Sequence, residues 1–455
     1  MSPAAGNAGD ASDRARATPA LIGERVLDVL GDRPGGPQLL TLAGGREDVS
    51  LVGGAVRDLL LGRIPRELDV VVASGAADFA QELAANLASA ASGASADSGA
   101  SAIAPPQTTV HERFGTALVA WAHGRVDVAQ RRAESYPAPG ALPQVRPGTV
   151  EEDLCRRDFT VNAIAVSLGG SHRGETAAAE HALDDLAAGR LRVLHERSFL
   201  DDPTRLLRLA RYSARLGFVP ERRTSELAAD ALAGGALATV SGARVGAELR
   251  LALGEHDPVA ALSRMSSLGV LAAVHPGLRL PEQIARRALA LLPADGRPDL
   301  LLMASLLLAL SMDPDQDAEA EIHELLDRLE FTAPERERVM RSALVAPSLV
   351  EEMVVAARPS QLHEALFAHT LEAVALGGAL GDESTTACGG EAMQWFDRLR
   401  HVRLLITGDD LIAAGIPAGP QIGQRLAAAL ARKLDGELSD GREGELSAAL
   451  EDADE

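Results

Sequence analysis

A chain of 455 residues is too long for one ordinary core, and with 46% hydrophobic but only 3% aromatic residues its interiors are built from Leu, Val and Ala. The formal charge of −21 weighs against a partner held by overall positive charge, although a net sum says little about one cleft, and every cation but Lys433 is an arginine. Cys155 and Cys388 carry no metal-type spacing, no basic, apolar leader opens the chain, and the most apolar run, Leu300 to Leu310, falls short of the roughly 20 residues of a membrane span, so a soluble, cytoplasmic protein is expected.

Residues 1–19 are small, polar and Pro/Gly-rich and are expected as a disordered tail. "VSLVGG" reads as a strand running into a turn, "AVRDLLLG" as a short helix and "LDVVVAS" as a second strand. The following amphipathic helix is expected to dissolve into a flexible Ala/Ser insertion at about 88–104. "TALVAWAHGRVDVAQRR" reads as two strands joined at His123-Gly124. After a Pro/Gly segment, "RRDFTVNAIA" is expected as a helix capped by Asp158, which would put Asn162 on the same face. Beyond about Leu191 strand signals stop and Ala/Leu/Arg-rich helical patterns run to the end, with Leu300–Leu310 as a buried helix.

Two groups of residues carry chemistry. Gly53 and Gly54 stand where a strand turns into a helix, a place where backbone amides approach phosphate closely, and Arg57 one turn on adds a charged fork. Glu67 and Asp69 are i and i+2 on a strand, so both carboxylates leave the same face, and Asp127, isolated between Val126 and Val128, is a third from a neighbouring strand. Hard divalent cations take such oxygen ligands, and a pair of them roughly 3.5–4 Å apart promotes in-line phosphoryl displacement. By residue type alone, Arg205, Arg208 and Arg211 form a stripe on a helix, with a solvated basic face as its simplest reading.

"LVGGAVRDLLLGRIPRELD", "EEDLCRRDFTVNAIA" and "FLDDPTRLLRLARYSARLGF" resemble three successive motifs of the class II tRNA nucleotidyltransferase and bacterial poly(A) polymerase family. Weaker echoes follow in "GARVGAELRLAL", "LGVLAAVHPGL" and "ITGDDLIAAGIPAGPQIGQRL". The resemblance implies an α+β fold: a small nucleotidyltransferase head with a mixed or antiparallel sheet (20–170), then a helical neck (171–235), body (236–345) and RNA-binding tail (346–455). It implies Mg²⁺, with Mn²⁺ as a substitute, and tRNA, ATP and CTP as partners. It gives Arg157 the triphosphate, Asp158 and Asn162 the nucleotide sugar, and Asp202 with Arg205 the base. Asp201, Arg208 and Arg211 become further nucleotide or RNA contacts. A carboxylate facing an exocyclic amine and a guanidinium facing a ring acceptor would select C and A over U and G. The implied activity is template-independent addition of CCA to tRNA, with A-only addition, C-only addition, poly(A) synthesis and a non-catalytic RNA-binding relative as alternatives. A phosphohydrolase site around His256-Asp257 lacks matching histidines. The chain departs from the family in having Glu67 for the first Asp of an Asp-x-Asp pair and Asp201 for Glu.

Overall fold

The structure is a computed structural model that describes residues 19–98, 105–111, 115–312, 317–381, 387–438 and 441–451. It divides into two units after Val240. The tail expected at the start lies outside the described residues, apart from Pro19, which begins the Pro19–Gly31 helix.

The first unit is built on a seven-stranded sheet in the order β3-β4-β5-β2-β1-β8-β9. Its strands are β1 (Ser50–Val52), β2 (Leu68–Val72), β3 (Gln107–His111), β4 (Thr116–Trp121), β5 (Gly124–Gln130), β8 (Ile164–Ser167) and β9 (Thr176–Ala178); β6 (Arg132–Ser135) and β7 (Gln144–Pro147) pair separately. Only β2 and β5 run parallel, so the sheet is mixed. Alternation explains β2: Leu68, Val70 and Val72 are buried while Asp69 leaves the opposite face. β9 carries the sheet beyond residue 170, where the sequence reading ended the head.

Four local expectations change. The helix after β2 spans Ala76–Ser98, so most of the Ala/Ser stretch expected as a loop is helical, as alanine's propensity favours, and 99–104 lie outside the described residues. The β4–β5 turn is Ala122-His123, because Gly124 already pairs with Trp121. "RRDFTVNAIA" is not a helix. The helix precedes it (Val150–Cys155, closed at its start by a Thr149/Glu152 capping box), and after a single 3₁₀ turn at Thr160–Asn162 the chain enters β8. Pairing of β8 with both β1 and β9 overrides the weak helical spacing. Finally, strand structure does recur after Leu191, as a two-residue parallel pairing of Arg190–Leu191 with Val219–Pro220.

The Thr204–Leu216 helix follows Pro203 and ends at Gly217, whose φ of 72° is the left-handed conformation that closes helices. Its arginine stripe is not a solvated face: Arg205 and Arg211 are buried.

The second unit is all-helical among its described residues. Its central helix, Pro298–Ser311, buries both faces, as the run of leucines requires, and packs on Ala333–Val355. Asp257 caps the Pro258–Ser267 helix by accepting from Ala260 N at 2.9 Å, which accounts for the His256-Asp257 pair structurally. Among the described residues no helix is long and apolar enough to cross a membrane.

Candidate active site

The parallel β2–β5 register sets Asp69 directly opposite Asp127, and Glu67 stands just before β2. Oxygens of all three carboxylates lie within 4.8 Å of one another, the one such group of metal-type ligands among the described residues. Burial and the neighbouring Glu67 charge push the Asp69 carboxyl up to about 7. Asp127 is also raised, by burial first and Glu67 after it, against the opposing charge of Arg125. Arg125 pairs with Glu67 and lies 3.3 Å from Asp127. Three hard oxygen donors at this spacing, with repulsion raising two of them, fit a divalent cation.

Gly53, with φ 70° and ψ −136°, makes the turn from β1 into the Gly54–Leu60 helix. A Cβ there would stand 2.6 Å from Arg157 Nη1 and 3.7 Å from Asp69 Oδ2, so only glycine lets the arginine lie against this turn. Arg157 donates to Asp153 Oδ2 at 2.9 Å, while its Nε is buried without a partner. Arg157 and Arg156 line a cleft of about 400 Å³ together with Asp69, Asp127, Thr116 and His111. The turn, the arginine and the carboxylates thus meet in one place.

Arg57 lies behind this turn. It is buried, donates from Nε to Asp58 Oδ1 at 2.8 Å and from Nη1 to Asn162 Oδ1 at 2.5 Å, and lies over the Tyr212 ring. Asn162 in turn donates to Asp158 Oδ1 at 2.8 Å. The expected Asp158–Asn162 pairing therefore exists, made by a tight turn rather than a helical face. Burial raises the Asp158 carboxyl, but Arg208 at 3.9 Å, Asn162 and Arg205 outweigh it and hold it below the ordinary range.

Asp202 is buried and its Oδ1 accepts from Thr204 N at 3.1 Å and Thr204 Oγ1 at 2.5 Å. Arg205 donates from Nη1 to Ser198 Oγ at 2.6 Å and from Nη2 to the Arg156 carbonyl at 2.7 Å. Asp201 faces Arg197 at 3.4 Å and His195 at 3.9 Å, and Arg211 lies 4.9 Å from the Tyr212 ring centre.

Sequence reasoning passed over Arg125, Asp153, Glu134 and Ser198. Arg125 was within reach, since it is two residues from Asp127 on β5 and must share its face. Asp153 and Ser198 had no local signal.

The poly(A) polymerase head domain family matches residues 49–192. An A-adding tRNA nucleotidyltransferase of Geobacter sulfurreducens is 32% identical over 89% of this chain, and this chain spans about half of that relative, 45% of its length. A CC-adding tRNA nucleotidyltransferase of Deinococcus radiodurans is 33% identical over 85% of this chain and 84% of its own length. A solved CCA-adding enzyme in complex with CTP superposes with a TM-score of 0.71 at 26% identity, covering 94% of this chain and 98% of that one. With a relative above 30% identity matched over 84% of its own length, the chain belongs to the tRNA nucleotidyltransferase family.

Proposed function

We propose that this protein transfers nucleoside monophosphates from CTP and ATP to the 3′ end of tRNA, releasing pyrophosphate. The observation that carries the reading is the meeting of Gly53, Arg157 and the Glu67/Asp69/Asp127 carboxylates at one cleft. In the reaction the terminal hydroxyl gives up its proton to solvent as its oxygen bonds to the α-phosphorus, and the bond from that phosphorus to the oxygen bridging to the β-phosphate breaks, so that pyrophosphate leaves. Mg²⁺ (or Mn²⁺) held by the three carboxylates would supply charge stabilisation to the phosphoryl group. Arg157, fixed by Asp153, binds the triphosphate against the Gly53–Gly54 turn. Arg57 acts one step back, holding Asn162, which with Asp158 faces the sugar. Asp202 and Arg205 read the base, and Asp201, Arg208 and Arg211 support that end of the pocket. The arginines of the helical unit contact the tRNA backbone and shape.

A-only addition is the second reading, favoured by the A-adding relative that aligns with 89% of this chain. The deciding experiment offers tRNAs ending before CCA, after C and after CC, each with one nucleotide at a time. Stepwise use of CTP and then ATP supports full CCA addition. Incorporation of A alone, onto the CC-ended tRNA alone, selects the second reading. No incorporation with either metal overturns both and leaves a non-catalytic RNA-binding relative.

A further inference from the structure

The guanidinium of Arg205 is 2% exposed and two of its three nitrogens are already engaged, Nη1 by Ser198 Oγ at 2.6 Å and Nη2 by the Arg156 carbonyl at 2.7 Å. Its Nε is buried without a hydrogen-bond partner. A buried donor without a partner is costly, so the orientation of this guanidinium is held by the contacts its other two nitrogens make. Two side contacts therefore set the plane of the fork.

One contact leads further. Arg156 donates from Nε and Nη2 to Asp153 Oδ1 at 3.0 and 2.8 Å, within its own segment. Its Nη1 reaches a different element, Glu134 Oε1 on β6, at 3.1 Å. Glu134 is nearly inaccessible, with 6% of its side chain exposed, and is itself held by Arg132 Nε at 2.9 Å and the Tyr136 hydroxyl at 3.0 Å. The β6–β7 loop is docked in turn, since Gly140 N donates to the Leu200 carbonyl at 3.0 Å, in the same short helix as Ser198. Arg205 is thus gripped from two sides: by Ser198 directly, and by the β6–β7 hairpin through Glu134 and the backbone of Arg156.

We propose that Ser198 and Glu134 are positioning residues for base selection, holding the Arg205 guanidinium in the plane from which it donates to a base whose ring nitrogen is an acceptor. This rests on the reading of Arg205 as a base-reading residue. Uracil and guanine present N–H at that ring position, so a fork held in one plane rejects them and a fork free to rotate does not. Arg157, the triphosphate ligand in this reading, is held by the other oxygen of Asp153, Oδ2, and makes no contact with Ser198 or Glu134.

The test measures kcat/KM for ATP, CTP, UTP and GTP in Ser198→Ala, Glu134→Gln and Arg205→Ala, with the inhibition constant of pyrophosphate as a binding readout. In Ser198→Ala and Glu134→Gln the preference for ATP and CTP over UTP and GTP is expected to fall about tenfold, the effect of losing one buried bond to a charged group. Inhibition by pyrophosphate should stay within twofold of wild type. Added to Arg205→Ala, either change should leave the preference where that variant put it, which a general loosening of the fold would not do. The inference is overturned if Arg205→Ala collapses the preference while Ser198→Ala and Glu134→Gln both keep it within twofold of wild type. If Arg205→Ala itself keeps the wild-type preference, the base-reading assignment is wrong and the inference goes with it.

Discussion

In the first unit Arg57, Asp58, Asp153, Asp158, Arg205 and Arg211 are all buried, and several share partners: Asp153 holds both Arg156 and Arg157, and Asn162 joins Arg57 to Asp158. The second unit also buries charge, at Glu248, Glu255, Glu372 and Glu445, and Glu445 ties neighbouring segments together by accepting from Leu405 N at 2.6 Å and pairing with Lys433. Glu372 accepts from Arg297 N and from Arg338 Nε, both at 2.7 Å, and so holds the start of the Pro298–Ser311 helix against Leu371–Leu380. Buried charge is expensive in either place. In the head, buried Asp153 fixes the directions of Arg156 and Arg157, which line the cleft. In the helical unit buried charge joins one helix to the next.

Substitutions in the two units should therefore separate activity from stability. The largest effect is expected for Asp69→Ala, which removes the most buried of the three clustered carboxylates: turnover should fall by about 10³-fold or more, while thermal stability is kept or rises because repulsion with Glu67 and Asp127 is relieved. Single-turnover kinetics and a melting curve on the same preparation check both halves, and wild-type turnover with Mg²⁺ would remove the metal assignment. Glu67→Asp, which restores the family's residue, should keep or raise turnover.

Two glycines sharpen the contrast. Gly53→Ala puts a methyl 2.6 Å from Arg157 Nη1 in a left-handed conformation, and should cost about 10²-fold in kcat/KM through displacement of that arginine. Gly246→Ala puts its methyl 2.1 Å from the Leu329 carbonyl, a close approach inside the helical unit, and should cost about 1–3 kcal/mol of stability with head chemistry unaltered at permissive temperature. Equal losses of activity in the two variants would break the comparison.

A stability loss of similar size is expected for Glu372→Gln, which leaves Arg338 without its charged partner and should lower unfolding free energy by about 1.5–3 kcal/mol, read from denaturant midpoints, without altering nucleotide preference.

The smallest concerns pH. Because Asp69 must be ionised to bind a cation, and titrates at about 7, Mn²⁺ affinity should weaken about tenfold between pH 7.5 and pH 6. For the metal-free protein the sign is opposite. A carboxyl raised above its ordinary 3.8 binds its proton more tightly when folded, so its contribution to stability is present in acid and is lost as pH rises toward about 7. Titrations of Mn²⁺ binding and of melting temperature at matched ionic strength would show opposing slopes, and parallel slopes would assign the titration elsewhere.

Much of the site was legible because its residues are close in sequence and their geometry is local. Glu67 and Asp69 share a strand face by alternation, and Gly53 stands at a strand–helix junction. The Asp158–Asn162 pairing was anticipated through the wrong element. A four-residue separation suits a helix, but Phe159, Val161 and Ile164 are drawn into a turn and a sheet in which β8 pairs with β1, far off in the chain, on one side and with β9 on the other. The arginine stripe was misjudged for a similar reason, since spacing shows that Arg205 and Arg211 share a helix but not which surface covers them.

Local chemistry and spacing by themselves determined the α/β head, the helical remainder, the buried Leu300–Leu310 helix and the identity of the three clustered carboxylates. These depend on periodicity and on contacts within a few residues. The tertiary structure alone decided that Asp127 stands opposite Asp69, that Arg125 lies between Glu67 and Asp127, and that Arg57 holds Asn162 from behind. It alone decided that Ser198, Arg156 and Glu134 grip Arg205. Ser198 and Arg205 lie in successive helices whose docking only the fold sets, and the other contacts join distant segments, whose register no local pattern of residue types encodes.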